Sequence, residues 1–334
     1  MSLKESQIIW PSIGNEHITN FLNKNILNKK LAHFYVFAGP SQIGKFTYAK
    51  HLAKILFCKS SNENLPCNDC EICRKNKLDI NHPDFYLLQK EKSTNNEKQN
   101  ISVAQIRYFI EKIKLSSFSN SYKIGIIKDA HYLNQEAANA LLKTLEESKN
   151  KIIIIFTTNC ETNLLETIVS RARVLKFYPV KNDIIHDFLI ENFQVKPSLA
   201  KKISHLSAGR PILAKKFLED ESFREHYIKN SNIFYEFLNK KNKNFLFEID
   251  KLEINTKEDA KKIINIWESV LRDIFLLNLG EKDLFSTISN SSQKIDISFQ
   301  NILNYFKHFQ LAKKYLKTNV SYKLILENLL INLA

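Results

Sequence analysis

FYVFAGPSQIGKFTYAKHLAKILF, residues 34–57, is the stretch on which the reading of this chain turns. FYVFA is apolar and aromatic, as a buried strand requires, and residues 45–57 repeat their apolar positions at helical spacing. Between them, Gly39-Pro40-Ser41-Gln42-Ile43-Gly44-Lys45 forms a G-x-x-x-x-G-K loop in the strand–loop–helix context that gives this motif meaning. The backbone N–H groups of such a loop and the start of its helix wrap a phosphate, and the lysine reaches the terminal phosphates. Gly39, Gly44 and Lys45 are therefore candidate nucleotide-binding residues. A Ser or Thr hydroxyl is needed next to hold Mg²⁺, but the chain has Phe46 there. Thr47 is the nearest hydroxyl and joins the candidates, although about 100° of helical rotation separates it from the required position.

Working outward, DFYLL (84–88), KIGIIKD (123–129), KIIIIFTT (151–158) and RVLKF (173–177) read as further strands. The two middle runs are almost continuously apolar, as expected of central parallel strands covered on both faces. Helices alternate with them: Ser102 and Gln105 make a capping box opening a helix to about Leu115, and NQEAANALLKTLEE is another. The polar tract QKEKSTNNEKQN after DFYLL reads as a mobile loop. These elements predict an α/β P-loop domain with a five-stranded parallel sheet. From Asn182 onward the pattern is helical, so the expected division is residues 1–179, a small helical domain at 180–222 and a longer helical domain at 223–334. Asp129 is placed to bind a Mg²⁺-associated water, while Ala130 stands where a hydrolytic site needs a glutamate to activate the attacking water. Nucleotide binding is expected here and efficient hydrolysis is not.

Cys58, Cys67, Cys70 and Cys73 follow the P-loop helix with the spacing C-x8-C-x2-C-x2-C. In a reducing compartment such clusters bind metal, and four thiolates close a tetrahedral Zn²⁺ site with no open catalytic position. A structural zinc is the expectation. Cys160 stands apart and reads as a packing residue; His33 and His82 read as packing or capping groups.

The 334 residues suit two or three domains, and fractions of 44% hydrophobic and 25% charged residues place the chain among globular proteins. No membrane span or secretory leader is legible, so the expected location is cytoplasmic and no membrane partner is expected. The net charge of +14 suits a nucleic-acid contact and equally a compositional lean toward Lys, Asn and Ile; charge alone leaves both open.

In order, LAHFYVFAGPSQIGK, the four cysteines, HPDFY, ISVAQIRYFIEKI, KIGIIKDAHYLNQEAANALLKTLEE, FTTN and SRA resemble the clamp-loader family of AAA+ proteins over about residues 8 to 180. NALLKTLEE and the cysteine-rich insertion after the P-loop helix carry this resemblance most specifically. The departures in KFT and KDAH resemble the delta-prime-type branch rather than the ATP-hydrolysing motor subunits. The resemblance implies that Ser170-Arg171-Ala172 stands for the family's S-R-C motif, whose arginine enters the ATP site of the adjacent subunit. It places Thr158 and Asn159 at the first sensor position, and Arg210 near the second sensor, where Leu213 occupies the place of a phosphate-sensing arginine. It implies a helical lid, a C-terminal collar that assembles a hetero-oligomeric pentamer, and partners that include the other loader subunits, the sliding clamp and primed DNA. Two rival functions are an ATP-hydrolysing or autonomous AAA+ ATPase, and a zinc-bearing DNA-binding protein without nucleotide chemistry. The second leaves GPSQIGK and SRA unexplained.

Overall fold

The structure is a computed structural model that describes residues 7–11, 13–59, 64–75, 80–90, 100–117, 122–147, 151–240, 252, 254–280, 297–316 and 318–333. The tract at 91–99, expected as a mobile loop, lies outside the described residues. The chain divides into two compact units, Met1–Val180 with Arg210–Ile212, and Lys181–Gly209 with Leu213–Ala334.

In the first unit the elements run β1 (Gln7–Ile8), α1 (Glu16–Leu27), β2 (Phe34–Ala38), α2 (Lys45–Phe57), β3 (Asn64–Leu65), α3 (Glu71–Lys75), β4 (Phe85–Leu88), α4 (Val103–Lys114), β5 (Lys123–Ile127), α5 (Gln135–Glu146), β6 (Ile152–Thr158), α6 (Glu166–Val169) and β7 (Arg173–Lys176). Five of the strands form one parallel sheet in the order β4-β5-β6-β2-β7, as the expected AAA+ P-loop fold requires. The strand alternation of period two divides the core. Tyr35, Phe37, Ile124, Ile126, Ile153 and Ile155 pack toward α1 and α2, while Phe34, Val36, Ile127, Ile154 and Phe156 pack toward α4 and α5. Both faces are covered, which is why these strands read as continuous apolar runs.

The capping box forms as expected: the Ser102 hydroxyl accepts the Gln105 N–H at 3.3 Å, and Gln105 Oε1 accepts the Ser102 N–H at 2.9 Å. Two features were not legible. Gln7 and Ile8 pair in parallel with Asn64 and Leu65, so β1 and β3 make a small second sheet. And Lys123, only 2% exposed, opens β5 beneath the end of α4, where its ammonium donates to the carbonyls of Lys112 (3.1 Å), Leu115 and Ser116 (3.3 Å). Burial pushes this ammonium down from its ordinary range, opposed by the Asp84 carboxylate. It serves as a buried C-terminal cap on carbonyls that the helix cannot satisfy itself. Lys123→Met keeps much of the apolar stem but strands those carbonyls, so it should cost about 2–3 kcal/mol by urea unfolding. An unchanged midpoint would contradict the capping role.

In the second unit α7 (Asn182–Phe193), α8 (Pro197–Ser207) and α9 (Pro211–Glu219) are followed by α10 (Glu221–Lys240), α11 (Lys257–Asn278), α12 (Phe299–Tyr315) and α13 (Tyr322–Leu333). The last four pack as successive neighbours. Trp267 of α11 stacks on Phe234 of α10 at 5.0 Å, and Phe309 of α12 meets Phe234 edge-on at 5.9 Å. Among the described residues no strand follows β7, in line with the helical pattern from Asn182, and no helix is long and apolar enough to cross a membrane.

Candidate functional site

The P-loop joins β2 to α2 as the motif demands. Gly39 has φ 153° and passes so close to Phe177 that an added Cβ would lie 2.5 Å from its carbonyl oxygen. Gly44 caps α2 with φ 110°. Both positions therefore need glycine, one for close approach and one for a left-handed turn. Lys45 is 6% exposed, and its ammonium donates to the carbonyls of Gly39 and Pro40, both at 2.6 Å. Burial pushes it down to about 8, opposed by the Asp129 carboxylate nearby.

Asp129 does not end the strand, as its sequence suggested. β5 stops at Ile127, and Asp129 sits two residues on in a left-handed turn with φ 55°. Its N–H donates to Thr157 Oγ1 at 3.0 Å, tying the turn to β6. Ala130 is fully buried and opens a short 3-10 turn. Thr158 is buried at the end of β6; its carbonyl accepts the Gly39 N–H at 3.2 Å, and its hydroxyl donates to the Cys160 carbonyl at 2.9 Å. Asn159 follows it on the surface. Gly39, Gly44, Lys45, Asp129 and Thr158 are thus brought together at the C-terminal ends of β2, β5 and β6. Thr47 lies half-buried on α2.

Phe46 is where the structure departs from a Mg²⁺-dependent site. Its half-buried ring packs against the core under α1 and α2, with Lys128 Nζ 5.0 Å and Lys50 Nζ 5.4 Å from its centroid. Arg210, half-buried, and Ile212 both belong to the first unit, where the Ile212 N–H donates to the P-loop carbonyl of Gln42 at 3.1 Å.

The four cysteines converge although Cys58 ends α2 and the others lie around α3. All four Sγ atoms fall within 4.8 Å of one another, with Cys67 and Cys73 at 3.9 Å. A tetrahedron of sulfurs around an ion with 2.3 Å bonds has edges of about 3.8 Å, so the group is of a size to hold a metal ion. The Cys70 N–H donates to Cys67 Sγ (3.3 Å) and the Cys73 N–H to Cys70 Sγ (3.5 Å), the pattern that stabilises thiolate ligands. The Cys70 and Asp69 N–H groups pull the Cys67 thiol down to about 6, while burial pushes Cys73 up. Cys160 is exposed and apart from the cluster, and no histidine joins it among the described residues. His82 stacks on Phe57 at 4.0 Å and His33 bonds the Leu145 carbonyl at 2.9 Å.

Arg171 lies elsewhere. It follows α6 and precedes β7, and the register pairs Arg173 with Tyr35 at the beginning of β2, whereas the P-loop leaves β2 after Ala38. Its side chain, 35% exposed, donates Nε to Glu146 Oε1 at 2.9 Å, a second guanidinium nitrogen to the same oxygen, and the third to the Thr167 carbonyl at 2.8 Å. Sequence reading missed Glu146, although it lies within NALLKTLEE: it ends α5, and 25 residues separate it from Arg171.

The family described as DNA polymerase III, delta subunit, matches residues 14–181. The DNA polymerase III subunit delta' of Bacillus subtilis is 28% identical over 341 aligned positions, 100% of this chain and 98% of that one. The subunit delta' of Pseudomonas aeruginosa is 29% identical over 58% of each chain, and the subunit tau of Bacillus subtilis is 35% identical over 52% of this chain and 29% of its own length. Among solved structures, a DNA polymerase III gamma subunit-related protein from Thermotoga maritima aligns with a TM-score of 0.47 at 18% identity, covering 94% of this chain and 97% of that one. With its P-loop sheet and with half of its length matched to the family, the chain belongs to the DNA polymerase III, delta subunit family.

Proposed function

We propose that this chain is a delta-prime-type subunit of a clamp loader, working in the cytoplasm within the replicative polymerase holoenzyme, and that Arg171 acts on the nucleotide of a neighbouring subunit. The observation that supports this most is the position of Arg171 at the opposite end of the sheet from its own P-loop. The intervening strand length is roughly 15 Å at the rise of an extended chain, farther than a guanidinium reaches. An exposed fork there serves a phosphate only if another chain brings it. Glu146 and Thr167 hold three guanidinium nitrogens in a defined orientation, so Glu146 acts as a positioning residue.

In this reading residues 180–222 form a lid, residues 223–334 form a collar for a hetero-oligomeric pentamer, and the partners are the other loader subunits, the sliding clamp and primed DNA. The four cysteines hold a structural Zn²⁺. The test is reconstitution: the remaining holoenzyme subunits, with and without this chain, should differ in DNA- and clamp-stimulated ATPase and in clamp loading. Equal rates, or failure of this chain to co-assemble, would reject the reading.

ATP binding at the chain's own P-loop is expected to be weak, and hydrolysis negligible, because Phe46 and Ala130 lack the metal-binding hydroxyl and the base. The isolated chain should therefore turn over no more ATP than its Lys45→Ala variant. Combined Phe46→Thr and Ala130→Glu changes are the route to gained turnover. Robust turnover by the unmodified chain would favour an autonomous ATPase.

A further inference from the structure

P-loop sites place a hydroxyl immediately after the loop lysine so that Mg²⁺ can bridge it to the nucleotide's phosphates. The residues here do not fit that ion. Phe46 occupies the position with an apolar ring, and the ammonium groups of Lys50 and Lys128 lie against it at 5.4 and 5.0 Å. A divalent cation would meet a group that cannot ligate it and two like charges. The carboxylate of Asp129, expected to hold a metal-bound water, favours the charged form of the buried Lys45 ammonium against its desolvation.

The same arrangement suits an anion. Lys128 directly follows β5, and its ammonium lies 5.0 Å from the ring centre of Phe46, the residue next to the loop lysine. Lys45 and the N–H groups of the loop supply the rest of a phosphate cradle. Together they offer the charge neutralisation that a triphosphate otherwise takes from Mg²⁺.

We propose that the loop of residues 39–45 binds the phosphates of a nucleoside di- or triphosphate without a divalent cation, with Lys128 supplying charge in place of the metal. This rests on the reading of the loop as a phosphate site and is independent of the role given to Arg171.

The experiment is equilibrium binding of a fluorescent ATP analogue, and of ADP by competition, to the full chain in EDTA and in millimolar Mg²⁺. Binding should be at least as tight in EDTA as in Mg²⁺. Lys128→Ala should weaken it in EDTA by about tenfold, and Lys128→Arg should retain it, with thermal unfolding confirming that both variants are folded. Phe46→Thr should make binding tighter with Mg²⁺ than without. Mn²⁺ added with nucleotide should give no bound-ion signal by electron paramagnetic resonance in the unmodified chain. The proposal is overturned by tenfold tightening with Mg²⁺, by stoichiometric bound Mn²⁺, or by binding that is indifferent to Lys128→Ala or survives Lys45→Ala. Absence of binding at millimolar analogue overturns it as well. None of these results bears on the neighbour's nucleotide, so the loader reading is tested separately by reconstitution.

Discussion

A loader assembled with the Arg171→Ala variant should hydrolyse ATP about a hundredfold or more slowly under stimulation by DNA and clamp, while the isolated variant remains folded. The size follows from what a guanidinium supplied in trans does: it stabilises charge on the transferring phosphoryl group, an effect worth several orders of magnitude in related enzymes. The folding side is small because the Arg171–Glu146 pair is exposed, at 35% and 52%, and such pairs contribute at most about 1 kcal/mol. Arg171→Lys should rescue poorly, since an ammonium cannot reproduce the planar fork that holds Glu146 and Thr167 while presenting a donor outward. Glu146→Gln keeps an acceptor near the fork but removes its charge; it should lower kcat less than Arg171→Ala and leave assembly intact. Stimulated ATPase and clamp loading at unmodified rates by the Arg171→Ala complex would show that the arginine has no role in trans.

If the four cysteines hold the proposed zinc, its removal should produce the largest stability effect. Purified chain should carry about one zinc per molecule, and its removal by a chelator should destabilise the first unit by about 3–5 kcal/mol, because a closed thiolate site contributes its binding energy to folding. Cys58 and Cys73 hold opposite ends of the module, one closing α2 and the other within α3, so Cys58→Ser or Cys73→Ser should release α3 from α2. Cys160→Ser is the control: it is exposed, lies outside the cluster and should change neither zinc content nor the unfolding midpoint. A metal-free chain of undiminished stability would reject the structural zinc.

The β2–loop–α2 unit, the five strands, the α4 capping box and the cysteine cluster were legible because each depends on residues close in sequence. Alternation, helical spacing, a Ser-to-Gln cap and a C-x2-C pair are local patterns whose physics acts over a few residues. The chemistry missing from the P-loop was equally legible, since Phe46 and Ala130 stand at positions defined by their neighbours. Asp129 was placed less well. Its apolar run stops at Ile127, where β5 also ends, but nothing in Lys128-Asp129 announces the left-handed turn that the Thr157 hydroxyl holds by accepting the Asp129 N–H.

By itself, then, the sequence determined the sheet and its strands, the G-x-x-x-x-G-K loop with Phe46 directly after its lysine, and the four cysteines. Their meeting and everything that depends on it was decided by the tertiary structure: the convergence of the Sγ atoms, the pairing of β1 with β3, the cap formed by Lys123, the grip of Glu146 on Arg171 and the position of Lys128 beside Phe46. The reason is physical. Secondary structure follows from steric and hydrophobic preferences repeated along the chain, whereas a charge finds its partner only after the sheet order has brought distant segments together. Arg171 stands far from its own P-loop because β7 lies beside β2 in parallel register, and no local pattern in Ser170-Arg171-Ala172 encodes that neighbour.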